Sequence, residues 1–176
     1  TMSMIGTRVV RREDPALVSG RGRFVDDVTA VGQAHVAFVR SFEPHGRILG
    51  IDVAAAVTMP GVIAVYTAET LGMSDRPPLT PEIPTVFSRP ALARDVVRYV
   101  GEPVAVVVAE TVAQAADAAE MVLLDCEPLP PVVDPEASVT STTLLFPEAG
   151  TNVLLTIPSN VENDVLATAD VVVRRR

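Results

Sequence analysis

The sequence of 176 residues has no tryptophan, only 4% aromatic residues and a single cysteine, Cys126. One cysteine excludes a disulfide within the chain, and a lone thiol among aliphatic neighbours is typical of a small buried hydrophobe. No basic residue flanks Cys126 to activate it, so we expect an unreactive thiol. Because aromatic residues are scarce, the core is expected to consist mainly of valine, leucine, isoleucine and alanine.

Positive charge and long apolar runs are scarce as well. Fourteen Lys and Arg stand against 22 Asp and Glu, which gives a net charge of -8. No basic face stands out before Arg174–Arg176, which argues against nucleic acid as a partner. No apolar run reaches the roughly 18 residues of a membrane-spanning helix, and the N-terminus lacks the apolar segment of a secretory signal. The sequence therefore predicts a cytoplasmic protein with no membrane span.

The residue groups that usually build active sites are sparse. Neither His35 nor His45 has neighbours at the spacing of a metal site, and no serine lies in a Gly-x-Ser-x-Gly motif. Asp26-Asp27 is expected to lie in a solvated turn, since adjacent residues of an extended chain point to opposite faces. Gly20-x-Gly22 precedes a strand-like run, not a helix, so phosphate binding is not expected. We assign no catalytic, cofactor-binding or metal-ligating residue.

Three strands are predicted in the first half of the chain, at residues 33–42, 48–53 and 62–67. The first is apolar enough to have both faces largely covered. A short helix over residues 54–59 can be capped by Asp52 and ended by Pro60-Gly61. Thr67 can cap a further single turn. Residues 74–90 contain five prolines, which indicates a long ordered loop or arm, or a flexible insertion.

The strongest pattern is VRYVGEPVAVVVAETVAQAADAAE, residues 97–120. Pro103 cannot donate to a sheet ladder, so Gly101-Glu102-Pro103 is expected to form a turn, a bulge or a strand start. Residues 104–109 are apolar on both faces, which predicts a central strand. We expect Gly101→Val and Val106→Asp to be the most harmful substitutions, through backbone restriction and through an unpaired buried charge.

A helix is predicted directly after this strand. Thr111 and Gln114 have the spacing of a capping box. The inward face is expected to contain Val112, Ala115, Ala116, Ala119, Val122 and Leu123, with Gln114, Asp117 and Met121 turned away. Further along, a strand is predicted from residues 122–124 into a Pro-rich bend, a short strand at 153–157 and a helical turn or two at 162–169. The β-rich run that ends in three arginines indicates a chain that continues into another unit.

Several of these segments, in this order and spacing, resemble a known family. They include RREDPALVSGRGRFVDDV, PHGRILGIDVAAAVTMPGVIAVYTAETL, RPALARDVVRYVGEPVAVVVAET and AADAAEMVLLDCEPLPPVVDPEA. Together they resemble the N-terminal part of the molybdenum-cofactor large subunit of the xanthine dehydrogenase, aldehyde oxidase and carbon monoxide dehydrogenase family. The resemblance implies an α+β fold, the α/β-hammerhead, with a mixed β-sheet and two main packed helices. Residues 1–176 would then be a single domain, and a fragment of a longer large subunit.

The resemblance also implies an activity for the parent protein. Family members oxidise aldehydes, purine-like heterocycles or carbon monoxide at a molybdopterin or molybdopterin cytosine dinucleotide centre, and pass electrons through [2Fe-2S] clusters to FAD. The residues that hold these cofactors belong to later domains of the subunit and to partner iron-sulfur and flavin subunits. This chain is therefore expected to be a non-catalytic structural and docking module. Cys126 and residues 145–152 depart from the usual family pattern, which leaves the substrate subgroup open.

An alternative from another functional class remains open at this point. The chain could be a free-standing small-molecule enzyme or binding protein that uses the corner Gly101-Glu102-Pro103, with Glu102 as a general base beside Arg98 and Tyr99. A base of this kind needs a pKa raised by burial. The structural interpretation is that the carboxylate of Glu102 accepts backbone hydrogen bonds and fixes the turn.

Overall fold

The computed structural model describes residues 5, 6, 9, 11–158 and 169–173. The strands in this part are β1 His35–Arg40, β2 Gly46–Asp52, β3 Val62–Thr67, β4 Val96–Val97, β5 Pro103–Ala109 and β6 Leu123–Pro128. The α-helices are α1 Asp14–Val18, α2 Ala54–Val57, α3 Ala68–Leu71, α4 Val112–Glu120 and α5 Pro135–Ser138. Short 3₁₀ turns occur at Val25–Asp27, Thr85–Phe87 and Pro147–Ala149. The predicted α+β class is confirmed.

The strands form two three-stranded sheets. The first sheet has the order β1-β5-β3 and the second sheet the order β4-β2-β6. A sheet of mixed strand directions was expected, but every pairing among these strands is antiparallel. Parallel neighbours need a crossover that returns to the same sheet. Here α4 follows β5 and leads into β6, so the helical crossover carries the chain to the second sheet instead.

Strand β5 is the central strand of the first sheet, as predicted. It lies between β1 and β3, and Val104, Ala105, Val107 and Ala109 are completely buried. Burial on both faces accounts for its uninterrupted apolar sequence. Pro103 is its first residue and pairs at a bulge with Arg40, a position that a residue without an N–H group tolerates.

Helix α4 covers one face of the first sheet. It begins as predicted, because the Thr111 hydroxyl oxygen accepts a hydrogen bond of 3.3 Å from the Gln114 N–H. The predicted inward face is wrong at Val112 and Leu123, which are 66% and 64% exposed, and at Ala116, which is exposed as well. Leu123 already belongs to β6, where side chains alternate with a period of two and no longer follow the helix. The inward side chains are those of Ala115, Ala118 and Val122.

Helix α2 is the second helix packed in this core, which confirms the expectation of two. Ala56 of α2 and Ala118 of α4 are fully buried in one cluster with Ala105 and Val107 of β5. Methyl side chains let both helices approach the sheet closely. Val53 occupies the N-cap position of α2, and the Asp52 carboxylate one residue earlier accepts a hydrogen bond of 2.9 Å from the N–H of Ala54, the first helical residue.

A second cluster joins the two sheets. Val104 of β5 packs there with Ala93 and Val97, and half-buried side chains of the second sheet surround them, namely Ile48, Ile51, Leu124 and Cys126. The strand predicted at 48–53 begins earlier, at Gly46. Because Val104 directly follows Gly101-Glu102-Pro103, this cluster holds that corner in place between the two sheets.

The Pro-rich segment, residues 74–90, is an ordered loop closed by an antiparallel bridge between Arg76 and Arg89. Its one buried hydrophobe is Phe87, whose ring meets that of Phe146 edge to face at 5.4 Å. The strand predicted at 153–157 is absent. Those residues have no strand partner among the described residues, and Ile157 is 82% exposed. The helical turns predicted at 162–169 lie almost entirely outside the described residues.

Candidate functional site: the Gly101-Glu102-Pro103 corner

The corner before β5 is closed by hydrogen bonds between backbone groups. The Glu102 N–H donates to Tyr99 O at 3.2 Å, which closes a four-residue turn with Gly101 in its third position. The corner is also tied to the end of β1, because Gly101 N–H donates to Ser41 O and Ser41 N–H donates to Glu102 O, at 2.7 and 2.9 Å. Gly101 has φ of +88°, a conformation that residues with a side chain adopt only under strain. A glycine is therefore required here.

The Glu102 carboxylate completes this turn. Its side chain is only 4% exposed, and Oε2 accepts a hydrogen bond of 2.5 Å from the Arg98 N–H. A carboxylate that accepts a backbone N–H satisfies a donor that would otherwise be buried without a partner. This geometry matches the structural role expected for Glu102.

The electrostatic environment of Glu102 would, taken alone, also suit a general base. Burial raises the pKa of Glu102 above its ordinary value of 4.5, and this effect outweighs the hydrogen bond from Arg98 and the charges of Arg98 and Arg89, which lower it. The volume of the cavity beside the carboxylate decides between a general base and a structural role. The cavity that Glu102 lines has a volume of about 10 Å³, which is at most the room of one water molecule. A substrate cannot reach the carboxylate in this conformation.

Arg98 and Tyr99, the neighbours named for a catalytic role, are placed differently from each other. The Arg98 guanidinium donates through Nε to Leu145 O at 2.8 Å and stacks over the Phe146 ring at 4.5 Å. It therefore anchors residues 145–146 to the corner. Tyr99 is 44% exposed and lines the small cavity together with Glu102. The room beside these two residues is too small for a substrate.

The raised pKa of Glu102 predicts a specific pH dependence of stability. As pH rises above 4.5, the unfolded chain loses the Glu102 proton before the folded chain does, so the free energy of unfolding falls until the folded carboxyl also ionises. Chemical denaturation of the wild type and of Glu102→Gln at a series of pH values measures this. The stability of the wild type relative to Glu102→Gln should decrease as pH rises through that window. A relative stability that increases would mean that the folded carboxyl has a lowered pKa.

The other residues considered from the sequence have structural surroundings. Burial is the largest cause that raises the pKa of the Cys126 thiol, followed by Glu43 and Asp125, which disfavours the reactive thiolate. His45 is 5% exposed and its Nδ1 lies 2.7 Å from Pro130 O. Asp27 Oδ2 accepts a hydrogen bond of 2.8 Å from the Phe24 N–H in the turn predicted there. Among the residues that the structure describes, no three His, Cys, Asp or Glu side chains could hold a metal ion.

The outer face of the first sheet is a feature that the sequence analysis missed. β1 was expected to be covered on both sides, yet Val36 and Phe38 are 55% and 50% exposed. Val36 pairs with Val108 and Phe38 with Val106, and Tyr66 of β3 pairs with Val106 from the other side. Paired residues share a face, so these side chains form one apolar surface opposite α4. We call it the outer face. The alternation of Val36, Phe38 and Arg40 in β1 was the available signal.

Comparison with known proteins decides the family. The family model described as the a/b hammerhead domain of aldehyde oxidase and xanthine dehydrogenase matches residues 19–130. This chain belongs to that family. The chain is 46% identical over 142 residues to the nicotine 6-hydroxylase large subunit of Paenarthrobacter nicotinovorans, covering 79% of this chain and 17% of that subunit. It is 40% identical over 134 residues to the carbon monoxide dehydrogenase large chain of Afipia carboxidovorans, covering 74% of this chain and 16% of that one.

Solved structures agree with this assignment. Quinoline 2-oxidoreductase from Pseudomonas putida 86 superposes with a TM-score of 0.77 at 38% identity, over 88% of this chain and 20% of that one. The chain thus spans a fifth or less of the length of these relatives. No helix of the described residues is long and apolar enough to cross a membrane.

Proposed function

We propose that this hammerhead domain is a non-catalytic structural and docking module within the large subunit of a molybdenum hydroxylase. In this proposal residues 1–176 are one domain of a longer subunit, and they hold the domains that follow and the partner subunits in register. Catalysis and electron transfer need cofactors positioned within about an ångström, and a rigid aliphatic scaffold can supply that precision without contacting substrate.

The observation that carries this proposal is the amount of apolar surface left open. Thirteen hydrophobic residues are buried, whereas thirty large hydrophobic residues of the described chain are exposed. The outer face is the part of this surface that is built on a rigid sheet. Large apolar patches on a folded protein mark surfaces that bind another protein. In the proposal, the rest of a larger assembly covers most of that surface.

The parent protein in this proposal is a cytoplasmic oxidoreductase. It oxidises an aldehyde, a purine-like heterocycle or carbon monoxide, and electrons leave through [2Fe-2S] clusters to FAD in partner subunits. Two of the relatives named above are described as the large subunit of a nicotine 6-hydroxylase and the large chain of a carbon monoxide dehydrogenase, which supports this proposal. Molybdopterin, as the cytosine dinucleotide or the simpler form, would be held by the following domains. The described residues offer it no metal-binding group, and their buried side-chain polar atoms already have hydrogen-bond partners.

A substitution on the outer face tests the docking role. Val36→Asp should change the stability of the isolated chain by less than about 1 kcal/mol, because Val36 is 55% exposed and a carboxylate there can reach water. In the complete large subunit the same change should cost roughly 3 kcal/mol and lower the molybdenum content, because docking would bury an unpaired charge. Thermal unfolding of both forms and metal analysis of the subunit measure this.

Val31→Asp is the matched control, since Val31 is fully exposed and lies in the turn before β1. It should have little effect in either form. If Val36→Asp destabilised the complete subunit no more than the isolated chain, the outer face would not be a docking surface.

A further inference from the structure

A cleft away from the corner lies between the Pro-rich segment and residues 145–154. Its volume is about 410 Å³, which is within the range of roughly 300–1,000 Å³ typical of small-molecule sites. The walls are largely apolar and include Leu79, Ile83, Phe87, Phe146 and Leu154. Arg76 and Arg89 are its charged lining residues, and we call it the arginine cleft.

The inner wall of the arginine cleft is fixed by contacts on its far side. Phe87 is 8% exposed and packs edge to face with Phe146, whose ring also lies under the Arg98 guanidinium. Asn152 accepts a hydrogen bond of 3.0 Å from the Leu145 N–H through Oδ1, and Nδ2 donates to Ser138 O and Thr143 O at 3.2 and 2.8 Å. These contacts hold the wall in place before any ligand binds, which lowers the entropic cost of binding.

The two arginines stand directly opposite each other. Arg76 N–H donates to Arg89 O at 2.8 Å and Arg89 N–H donates to Arg76 O at 3.4 Å, so the pair exchanges both backbone hydrogen bonds. Their side chains therefore leave the backbone on the same side, and like charges placed directly opposite are destabilising. No carboxylate lines the cleft, although the chain carries a net charge of -8.

Acidic side chains neutralise other arginines instead. The ion pairs of the described residues join Arg11 to Asp14, Arg47 to Glu127 and Arg94 to Asp75. Arg76 and Arg89 also line the small cavity beside Glu102, and the charge of Arg89 interacts with its carboxylate, but Glu102 is 4% exposed and already accepts the Arg98 N–H. The surface of the arginine cleft thus presents positive charge beside an apolar wall. An adjacent cleft, with a volume of about 390 Å³, contains the Arg94–Asp75 pair and lacks this imbalance.

We propose that the arginine cleft binds an organic anion made of a carboxylate on an apolar body, such as an aryl-substituted or branched alkyl monocarboxylic acid. The guanidinium groups of Arg76 and Arg89 bind the carboxylate, since their planar donors match its two oxygens. Phe87, Phe146 and Leu154 contact the apolar body. Binding of an acid by the isolated chain does not require the scaffold role, so failure of the one is distinguishable from failure of the other.

Titration of the 176-residue chain with 4-phenylbutyrate tests this proposal by calorimetry and by NMR shifts of residues that line the cleft. The acid should bind at least tenfold more tightly than 4-phenylbutanamide, its neutral analogue, and than acetate, which has no apolar body. Arg76→Gln and Arg89→Gln should each weaken binding about tenfold, and Leu79→Ser should weaken it several-fold. Leu79 is 97% exposed, so its substitution leaves folding unaffected. Arg47→Gln, which removes an arginine from the second sheet, should change nothing.

The same titration of the complete large subunit shows whether the carboxylate comes from a free acid or from a neighbouring segment of the subunit. Undiminished binding of 4-phenylbutyrate assigns the site to a free acid. Exclusion of the acid, together with lower thermal stability in Arg76→Gln than in Arg47→Gln, assigns the carboxylate to a neighbouring segment of the subunit. The proposal is overturned if the isolated chain binds no acid, if the amide binds equally well, or if neither arginine variant weakens binding.

Discussion

Val107→Asp is expected to unfold the isolated chain, with a loss of more than about 4 kcal/mol, because it places a carboxylate where no water or cation can reach it. Val107 is a residue of the central strand β5, and its side chain is fully buried against the helices, in the cluster with Ala56 and Ala118. The alanines of α2 and α4 leave no polar atom to receive the new group. Chemical denaturation followed by circular dichroism measures the loss.

Val106→Asp is the matched comparison in the same strand. This substitution was predicted, with Gly101→Val, to be among the two most harmful, but Val106 is 8% exposed and lies on the outer face between Phe38 and Tyr66. A carboxylate there can reach water past half-exposed neighbours, so we expect a smaller loss of roughly 2–3 kcal/mol. If the two variants lost equal free energy of unfolding, the face of β5 under α4 would be no more deeply buried than the outer face, contrary to this account.

Most of the first sheet could be predicted from the sequence because its signals are local. The apolar run of β5, the capping residues Thr111 and Gln114, and the glycine and proline of the corner each act through their own backbone. The face of α4 was harder to predict. Alanine and valine occur all round this helix, so the period alone did not separate Val112 from Ala118, and the position of β5 decided which is buried.

The outer face and the arginine cleft could not be predicted, because each depends on contacts between distant parts of the chain. The valines and phenylalanine of β1 have the composition of a covered strand, but no second layer among the described residues covers Val36 and Phe38. Arg76 and Arg89 become neighbours through a bridge that closes the Pro-rich segment. Glu102 could be predicted in part. The sequence suggested that its carboxylate fixes the turn, but not that the cavity beside it is too small for a substrate.

Glu102→Ala is the second substitution with a large expected effect. It leaves the Arg98 N–H without its acceptor and removes the negative charge that faces Arg98 and Arg89. Loss of a buried hydrogen-bond partner of this kind costs roughly 2–3 kcal/mol. Thermal unfolding should therefore shift to a clearly lower temperature. Glu102→Gln keeps an oxygen that can accept the Arg98 N–H, so its loss should be smaller.

The same two variants in the complete large subunit test whether this domain is a scaffold or a site of chemistry. The measurement is turnover per bound molybdenum, taken well below the unfolding temperature. A scaffold predicts that Glu102→Gln keeps the wild-type rate and that Glu102→Ala loses stability without losing activity in the molecules that remain folded. Loss of turnover in Glu102→Gln, with stability unchanged, would contradict the account and make Glu102 a catalytic base.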